Sequence, residues 1–330
     1  MFQPCEICYS YAGIKYYSKQ MEYGFAPLFT GGSGRSGTTI LLNLLKNHPQ
    51  VHASMPREIK YLTSRYGLVD LNFGRPLSIE ENLKSKRNNL AAKVLNKIGK
   101  RKKDLFMVYL NSKWWSEIGK KGKPRGLVQG ITKEELAAAI ANFEKYFAVD
   151  KKRASRAFFY ELSAAQIKDK NVMYFADSTP TNMMQANYIY KLFPNANFIN
   201  MIRDGRDVAL SVSKERWGPN DPHQALAWWA NRIEKAHNAL LKVRAKDQMQ
   251  MRLEDLIVNN RKEEYLRLLR FLEIDEHDLT REYFETQMLP EYMTQGEWQK
   301  EVKDPDLYNK KYESILKNLT AKGIEIAKYY

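Results

Sequence analysis

Residues 26–31 (APLFTG) form a short apolar run, and Gly31-Gly32-Ser33-Gly34-Arg35-Ser36-Gly37-Thr38-Thr39 stands directly behind it. An apolar-periodic segment, Thr38 to Lys46, follows and stops at His48-Pro49. This order predicts a buried strand, a tight turn and a helix. A strand without polar alternation is buried on both faces and needs parallel neighbours covered by helices. The chain supplies them. Residues 172–175 (VMYF) and Asn197–Ile202 (NFINMI) are further apolar runs, and Met249–Leu253 is a candidate fourth strand. Helical segments trail them at Thr181–Lys191, Arg206–Lys214 and Arg261–Leu272. Strands alternating with helices predict an α/β fold, a central parallel sheet with helices on both faces. Between Tyr66 and Asn171 no comparable strand pattern occurs, so 66–171 reads as a mainly helical insertion. A chain of 330 residues is long enough for one large domain, and 1–330 is expected to be one.

Charge sets that insertion apart. The chain carries 53 Lys and Arg against 38 Asp and Glu, a net +15. Between Lys84 and Arg125 lie fourteen basic residues and only Asp104 and Glu117, so this window holds +12 of the total. The excess favours anionic partners and says nothing about fold. Tyr109, Trp114 and Trp115 lie in the same window, where they could stack on sugar rings or simply fill the core. Cys5 and Cys8 are the only cysteines. They are too few for a disulfide framework, and a zinc site would need two more ligands. No run approaches the ~20 apolar residues of a membrane span. The first 25 residues, with Lys15, Lys19 and Glu22, do not make a signal peptide. A cytoplasmic protein without a membrane span is expected.

The glycine-rich turn carries chemistry. Glycines let successive N–H groups converge on an anion, and the following helix start adds its own N–H groups and partial positive charge. Gly32 through Thr39 fits the phosphate-loop pattern G-x-x-x-x-G-K-[ST] except that Thr38 stands at the lysine. Without that lysine a triphosphate is poorly served, whereas a single phosphate or phosphosulfate group is served well. The sheet is therefore expected to be P-loop-like, with Gly34, Arg35, Ser36, Gly37, Thr38 and Thr39 as nucleotide ligands. A second charged cluster, Arg203-Asp204-Gly205-Arg206-Asp207, follows a predicted strand and opens a helix. Ligands of open α/β sheets bind at such places.

At these residues the chain resembles the superfamily of sulfotransferases that use 3′-phosphoadenosine 5′-phosphosulfate (PAPS). The stretch Gly34–Val51 (GRSGTTILLNLLKNHPQV) is similar to the family's 5′-phosphosulfate loop. Phe193–Ser213 (FPNANFINMIRDGRDVALSVS) is similar to its 3′-phosphate motif, which implies Arg203 and Ser211 as ligands of that phosphate. Arg206 and Asp207 read equally well as a local ion network. Met251–Leu256 (MRLEDL) resembles the family's R-Y-E-D-L segment, with Leu253 for the usual Tyr. Gly296-Glu297-Trp298 resembles its late G-x-W loop. The resemblance covers about residues 26–62, 172–216, 249–273 and 290–330. It is closer to the heparan sulfate, tyrosylprotein and bacterial enzymes than to the cytosolic phenol and steroid ones.

The resemblance implies PAPS as donor and sulfuryl transfer to a hydroxyl or amine of an acceptor, such as an anionic glycan or a small metabolite. Glu58, in Pro56-Arg57-Glu58-Ile59-Lys60-Tyr61-Leu62, stands where the heparan-type and tyrosylprotein enzymes carry a catalytic Glu, at a slightly longer spacing from His48-Pro49. It is the expected base. Lys60 is expected to hold the sulfonate or polarise the acceptor, and Arg35 to neutralise charge. A metal is not expected. His48, His52 and His223 are weaker rivals for the base. One departure stands out: Asp177-Ser178-Thr179-Pro180 resembles a D-K-T-P segment whose Lys is here Ser178, so a cation is missing. Two other readings account for less of the chain. A P-loop kinase or other NTPase needs the absent lysine, and a nucleic-acid binder using the basic window lacks any known recognition motif.

Overall fold

The computed structural model describes residues 23–74, 102–119, 122–168 and 171–326. Cys5 and Cys8, Lys84–Arg101 of the basic window, Lys120 and Lys121 lie outside them. In chain order the elements begin with β1 (Ala26–Gly32), α1 (Thr38–Leu45), β2 (Val51–Ala53), α2 (Lys60–Thr63) and α3 (Leu68–Phe73). Next come α4 (Lys102–Asn111), β3 (Glu117–Ile118), β4 (Pro124–Arg125), α5 (Lys133–Phe147) and α6 (Lys151–Ile167). Then follow β5 (Tyr174–Asp177), α7 (Ala186–Leu192), β6 (Asn197–Ile202), α8 (Gly205–Ser213) and α9 (Pro222–Leu240). The chain continues through β7 (Gln248–Arg252), α10 (Arg261–Leu272), α11 (Asp278–Gln287), α12 (Trp298–Glu301) and α13 (Pro305–Ala321).

Five strands form one sheet in the order β2-β5-β1-β6-β7, every pair parallel. Alternating side chains along each strand feed two different cores, as the pleat requires. Ala26 and Leu28 of β1, Ile199 and Met201 of β6, and Tyr174 and Ala176 of β5 pack with α1, α10 and α11 on one face. Phe25 and Phe29, Phe198 and Phe175 point the other way, into a core shared with α4 to α7. That double burial is why these strands read as unbroken apolar runs. A third cluster joins α8 and α9 to α12 and α13 through Trp229, Trp298, Tyr308 and Tyr312.

The structure refines the sequence reading in three places. The sheet gains an edge strand, β2, only three residues long and half-exposed, too short for a periodic signal. The helix expected from Thr181 opens as a 3₁₀ segment, Pro180–Gln185, and is α-helical only from Ala186. The described residues between Tyr66 and Asn171 are mainly helical, as expected, and also hold the antiparallel hairpin β3–β4. Its helices are a layer of the core: Phe106, Phe143 and Phe158 are fully buried and meet ring to ring. α5 begins at a full capping box, Thr132 with Glu135, which fixes where this layer starts.

Candidate active site

Since all five strands run the same way, their carboxyl ends share one edge of the sheet. From β2 across to β7 that edge carries residues 54–59, Asp177–Thr179, the loop 33–37, Arg203–Asp204 and Leu253–Glu254.

The loop after β1 is shaped by close approaches. A Cβ on Gly32 would fall 2.3 Å from the Met201 carbonyl oxygen and 2.4 Å from Ser36 Oγ. Gly37 adopts φ 90°, the left-handed region, and a Cβ there would lie 2.6 Å from Leu253 Cδ1. Gly37 is also the N-cap of α1 and has no side chain to satisfy the free N–H groups of the first turn. Ser36 is fully buried, and its Oγ has no hydrogen-bond partner among the described residues. Thr38 is buried, while Arg35 and Thr39 are exposed.

The corner after β6 touches this loop directly. Arg35 Nε donates to Ser211 Oγ at 2.8 Å, and Arg203 Nη1 donates to the Arg35 carbonyl at 3.3 Å. Arg203 Nη2 donates to the Thr294 carbonyl, and its buried Nε has no partner among the described residues. The late loop closes on the same corner, with the Gly296 N–H donating to Asp207 Oδ2 at 3.0 Å. Arg206 and Asp207 form the local network. The Arg206 guanidinium grips Asp204 at 2.6 Å and lies over the rings of Trp298 and Tyr312. Burial pushes the Asp207 carboxyl above the usual carboxylate range, and the Gly296 hydrogen bond opposes that. The MRLEDL segment buttresses the corner from β7. Buried Glu254 accepts the Asp204 N–H at 2.8 Å, and Leu253 fills the space over Gly37.

Three neighbours of the loop were not legible as site residues. Arg232 Nη1 donates to the Ser33 carbonyl at 2.8 Å, and its guanidinium stacks on Trp228. Trp217, 5.8 Å from Trp228 between ring centroids, also borders Gly34. All three reach the loop only through the packing of α9 and its approach, which no local spacing reveals.

Beside these corners lies a cavity of about 280 Å³ lined by, among others, Arg57, Glu58, Lys60, Lys113, Glu117 and Arg125. The segment carrying Glu58 is tied down from below. The Ile59 N–H donates to Asp177 Oδ1 at 3.0 Å, and the Ser178 N–H donates to the Arg57 carbonyl at 2.9 Å. Asp177 is fully buried, and burial pushes its carboxyl up to about 6 despite hydrogen bonds from Asn182, Ile59 and Thr179. Lys60 Nζ pairs with Glu117 at 2.9 Å. Arg57 links the cavity to the loop: its Nη1 donates to Thr39 Oγ1 at 3.2 Å. Ser178, at the position of the missing lysine, donates to the Thr38 carbonyl at 3.2 Å.

The structure therefore gathers Gly34, Arg35, Ser36, Gly37, Thr38, Thr39, Arg203 and Ser211 at two touching corners, with Glu58 and Lys60 in the adjoining cavity. The histidines stand apart. His48 Nε2 meets the Asp275 carbonyl, His52 stacks on Phe175, His223 meets the Tyr308 ring, and none lines the cavity. Tyr109 and Trp114 pack on each other within the core, and Trp115 carries Lys133 over its ring. Among the described residues no cluster of three or more His, Cys, Asp or Glu could hold a metal. Nor is any described helix long and apolar enough to cross a membrane.

A glycine-rich loop behind the central strand of the parallel sheet and a carboxylate-lined cavity alongside make up the site. The chain belongs to the sulfotransferase family, whose sequence profile matches residues 104–278, more than half of its length. The match includes the helical layer from α4 to α6, where the sequence reading found no resemblance, and leaves the phosphate loop outside. A protein-tyrosine sulfotransferase of Drosophila melanogaster is 23% identical over 258 residues, covering 76% of this chain and 38% of that protein. The chain thus spans well under half of that relative. Solved structures of similar chains include the sulfotransferase domain of the Synechococcus PCC 7002 olefin synthase, 17% identical with a TM-score of 0.44, covering 90% of this chain and 91% of that one. The sulfotransferase domain from the curacin biosynthetic pathway is 16% identical with a TM-score of 0.47, covering 90% and 98%.

Proposed function

We propose that the chain transfers a sulfuryl group from PAPS to a hydroxyl or amine of an acceptor held in the cavity, with Glu58 as the base. The reading rests on one observation: the two phosphate corners touch, through Arg35 Nε on Ser211 Oγ at 2.8 Å, so both ends of one small nucleotide fall within their reach. The residues present fit such a donor. Ser36 Oγ and Arg203 Nε are buried polar atoms without partners among the described residues. The uncapped start of α1 offers N–H groups to an anion.

PAPS would supply a sulfuryl group joined to a good leaving group, its 5′-phosphate. The loop N–H groups, Ser36, Thr38 and Thr39 hold that end. Arg203 and Ser211 hold the 3′-phosphate, with Arg35 bridging the two. Trp217, exposed beside Gly34, offers a ring face to the adenine. Glu58 takes the acceptor proton. Arg57 and Lys60 set positive charge where negative charge builds up on the transferring and leaving oxygens, and Arg57 takes the part of the lysine that Ser178 replaces.

The product nucleotide, 3′-phosphoadenosine 5′-phosphate (PAP), tests the reading. At a hundredfold excess over Kd it should stabilise the fold by about 2.7 kcal/mol, a rise of roughly 3–5 °C in Tm. Arg203→Ala should abolish most of that rise. An equal or larger rise with ATP, or none with PAP, would overturn the proposal.

A further inference from the structure

Lys60, which the proposed transfer uses, is held in the cavity by a carboxylate that the transfer does not use. Glu117, on the exposed hairpin β3–β4, reaches to Lys60 Nζ at 2.9 Å, and both side chains remain close to half exposed. Arg125 is its direct partner across the hairpin. The Arg125 side chain lies over Gly119, where a Cβ would sit 2.4 Å from Arg125 Nε, so the glycine leaves room for it. Lys113 lines the same cavity. Lys60, first through its hydrogen bond, holds the Glu117 carboxyl below the usual carboxylate range, and Lys113 and Arg125 add to that field. Lys60 holds that carboxylate directly, and Lys113 and Arg125, from two other stretches of chain, line the cavity beside it.

We propose that Lys60, Lys113 and Arg125 form an oxyanion subsite of the acceptor cavity, which Glu117 fills until an acceptor's own carboxylate or sulfate displaces it. This rests on the cavity being the acceptor site, as in the function proposed above. An ion pair this exposed is weak, so an incoming anion exchanges with it at little cost. Two-residue strands make the hairpin cheap to shift. Exchange also has a selective effect. A neutral acceptor would leave Lys60 on Glu117, whereas an anionic one turns Lys60 and its neighbours toward itself. The subsite accounts for the described part of the basic window that faces the cavity.

The test uses inorganic sulfate and acetate as separate probes, titrated calorimetrically into the full chain at constant ionic strength with PAP present. Glu117→Gln should bind one of them roughly fivefold more tightly than the wild type, and which one responds tells a sulfate-bearing acceptor from a carboxylate-bearing one. Adding Lys113→Ala and Arg125→Ala to Glu117→Gln should erase the gain. Anion binding at the phosphate loop is common to all variants and cancels in the comparison. Glu117→Ala repeats the measurement should the Gln variant distort the hairpin. No gain in either variant, or a gain that survives loss of Lys113 and Arg125, overturns the subsite. Absence of PAP binding alongside a normal gain would instead sink the donor reading and leave the subsite standing.

Discussion

Ser178 cannot carry a charge, yet it sits where the D-K-T-P resemblance implies a lysine, with its hydroxyl on the Thr38 carbonyl at the start of α1. The guanidinium that reaches this place belongs to Arg57, through Thr39 Oγ1, and the Arg57 carbonyl is in turn held by the Ser178 N–H. A short polar side chain at 178 leaves room for a long cationic one from the neighbouring loop. Arg57→Ala should therefore lower kcat about 10- to 100-fold in a PAPS assay while PAP affinity stays within about twofold. Arg57→Lys should recover only part of the loss, since an ammonium lacks the planar fork of the guanidinium. Equal losses in kcat and PAP affinity would move Arg57 from the reacting group to nucleotide binding. Glu58 beside it is argued to act on the proton alone. Glu58→Gln should cut turnover by ~10²–10⁴ and leave the PAP-induced rise in Tm intact. Unchanged turnover would remove it from the mechanism.

At the scale of elements, the phosphate loop depends on a neighbour distant in sequence. Gly37 both turns the chain into α1 and admits Leu253 from the β7 corner. Gly37→Ala should destabilise the protein by about 1–3 kcal/mol in urea unfolding, by combining left-handed strain with overlap on Leu253. Adding Leu253→Ala should return the steric share and leave the strain, so the two changes should be clearly non-additive. Strict additivity would mean that the two side chains do not compete. The same corner shows what could be read before any coordinates. β1, β5 and β6 were visible because strands buried on both faces must be apolar throughout, β7 only by its place before a helix, and the glycine-rich loop because few sequences combine that many glycines with hydroxyls at a helix start. β2 is half-exposed and three residues long, so it carries no such mark. Arg232 and Trp217 join the loop only through the packing of α9, and Glu117 meets Lys60 across separate stretches of chain. Contacts of that kind depend on tertiary geometry, which periodicity and spacing do not encode.

Across the whole molecule, Asp177 is the joint between the sheet and the cavity. It ends β5, accepts the Ile59 N–H from the Glu58 loop at 3.0 Å, and accepts Asn182 from the following 3₁₀ segment at 2.7 Å. Burial raises its carboxyl from an ordinary 3.8 to about 6 in the folded protein, with the surrounding hydrogen bonds opposing and the nearby Glu58 charge adding a little. A folded-state value above the unfolded one means that the native protein holds this proton more tightly. The stability it confers is full below about pH 4 and is lost as the pH climbs through about 6. For this one group the loss amounts to at most about 3 kcal/mol. The comparison that isolates it is wild type against Asp177→Asn, by urea unfolding from pH 4 to pH 7. The wild type's margin should shrink between pH 4 and pH 6 and then level off. Asn offers a single acceptor oxygen to three donors, so at pH 7 the variant should still be less stable, by roughly 1–3 kcal/mol. A margin that widened as the pH rose would show that the hydrogen bonds outweigh burial and that Asp177 stays ionised beneath Glu58 throughout this range. A carboxylate charged in that position would repel the ionised base above it, and the pH dependence of turnover would then belong to the pair and not to Glu58 alone.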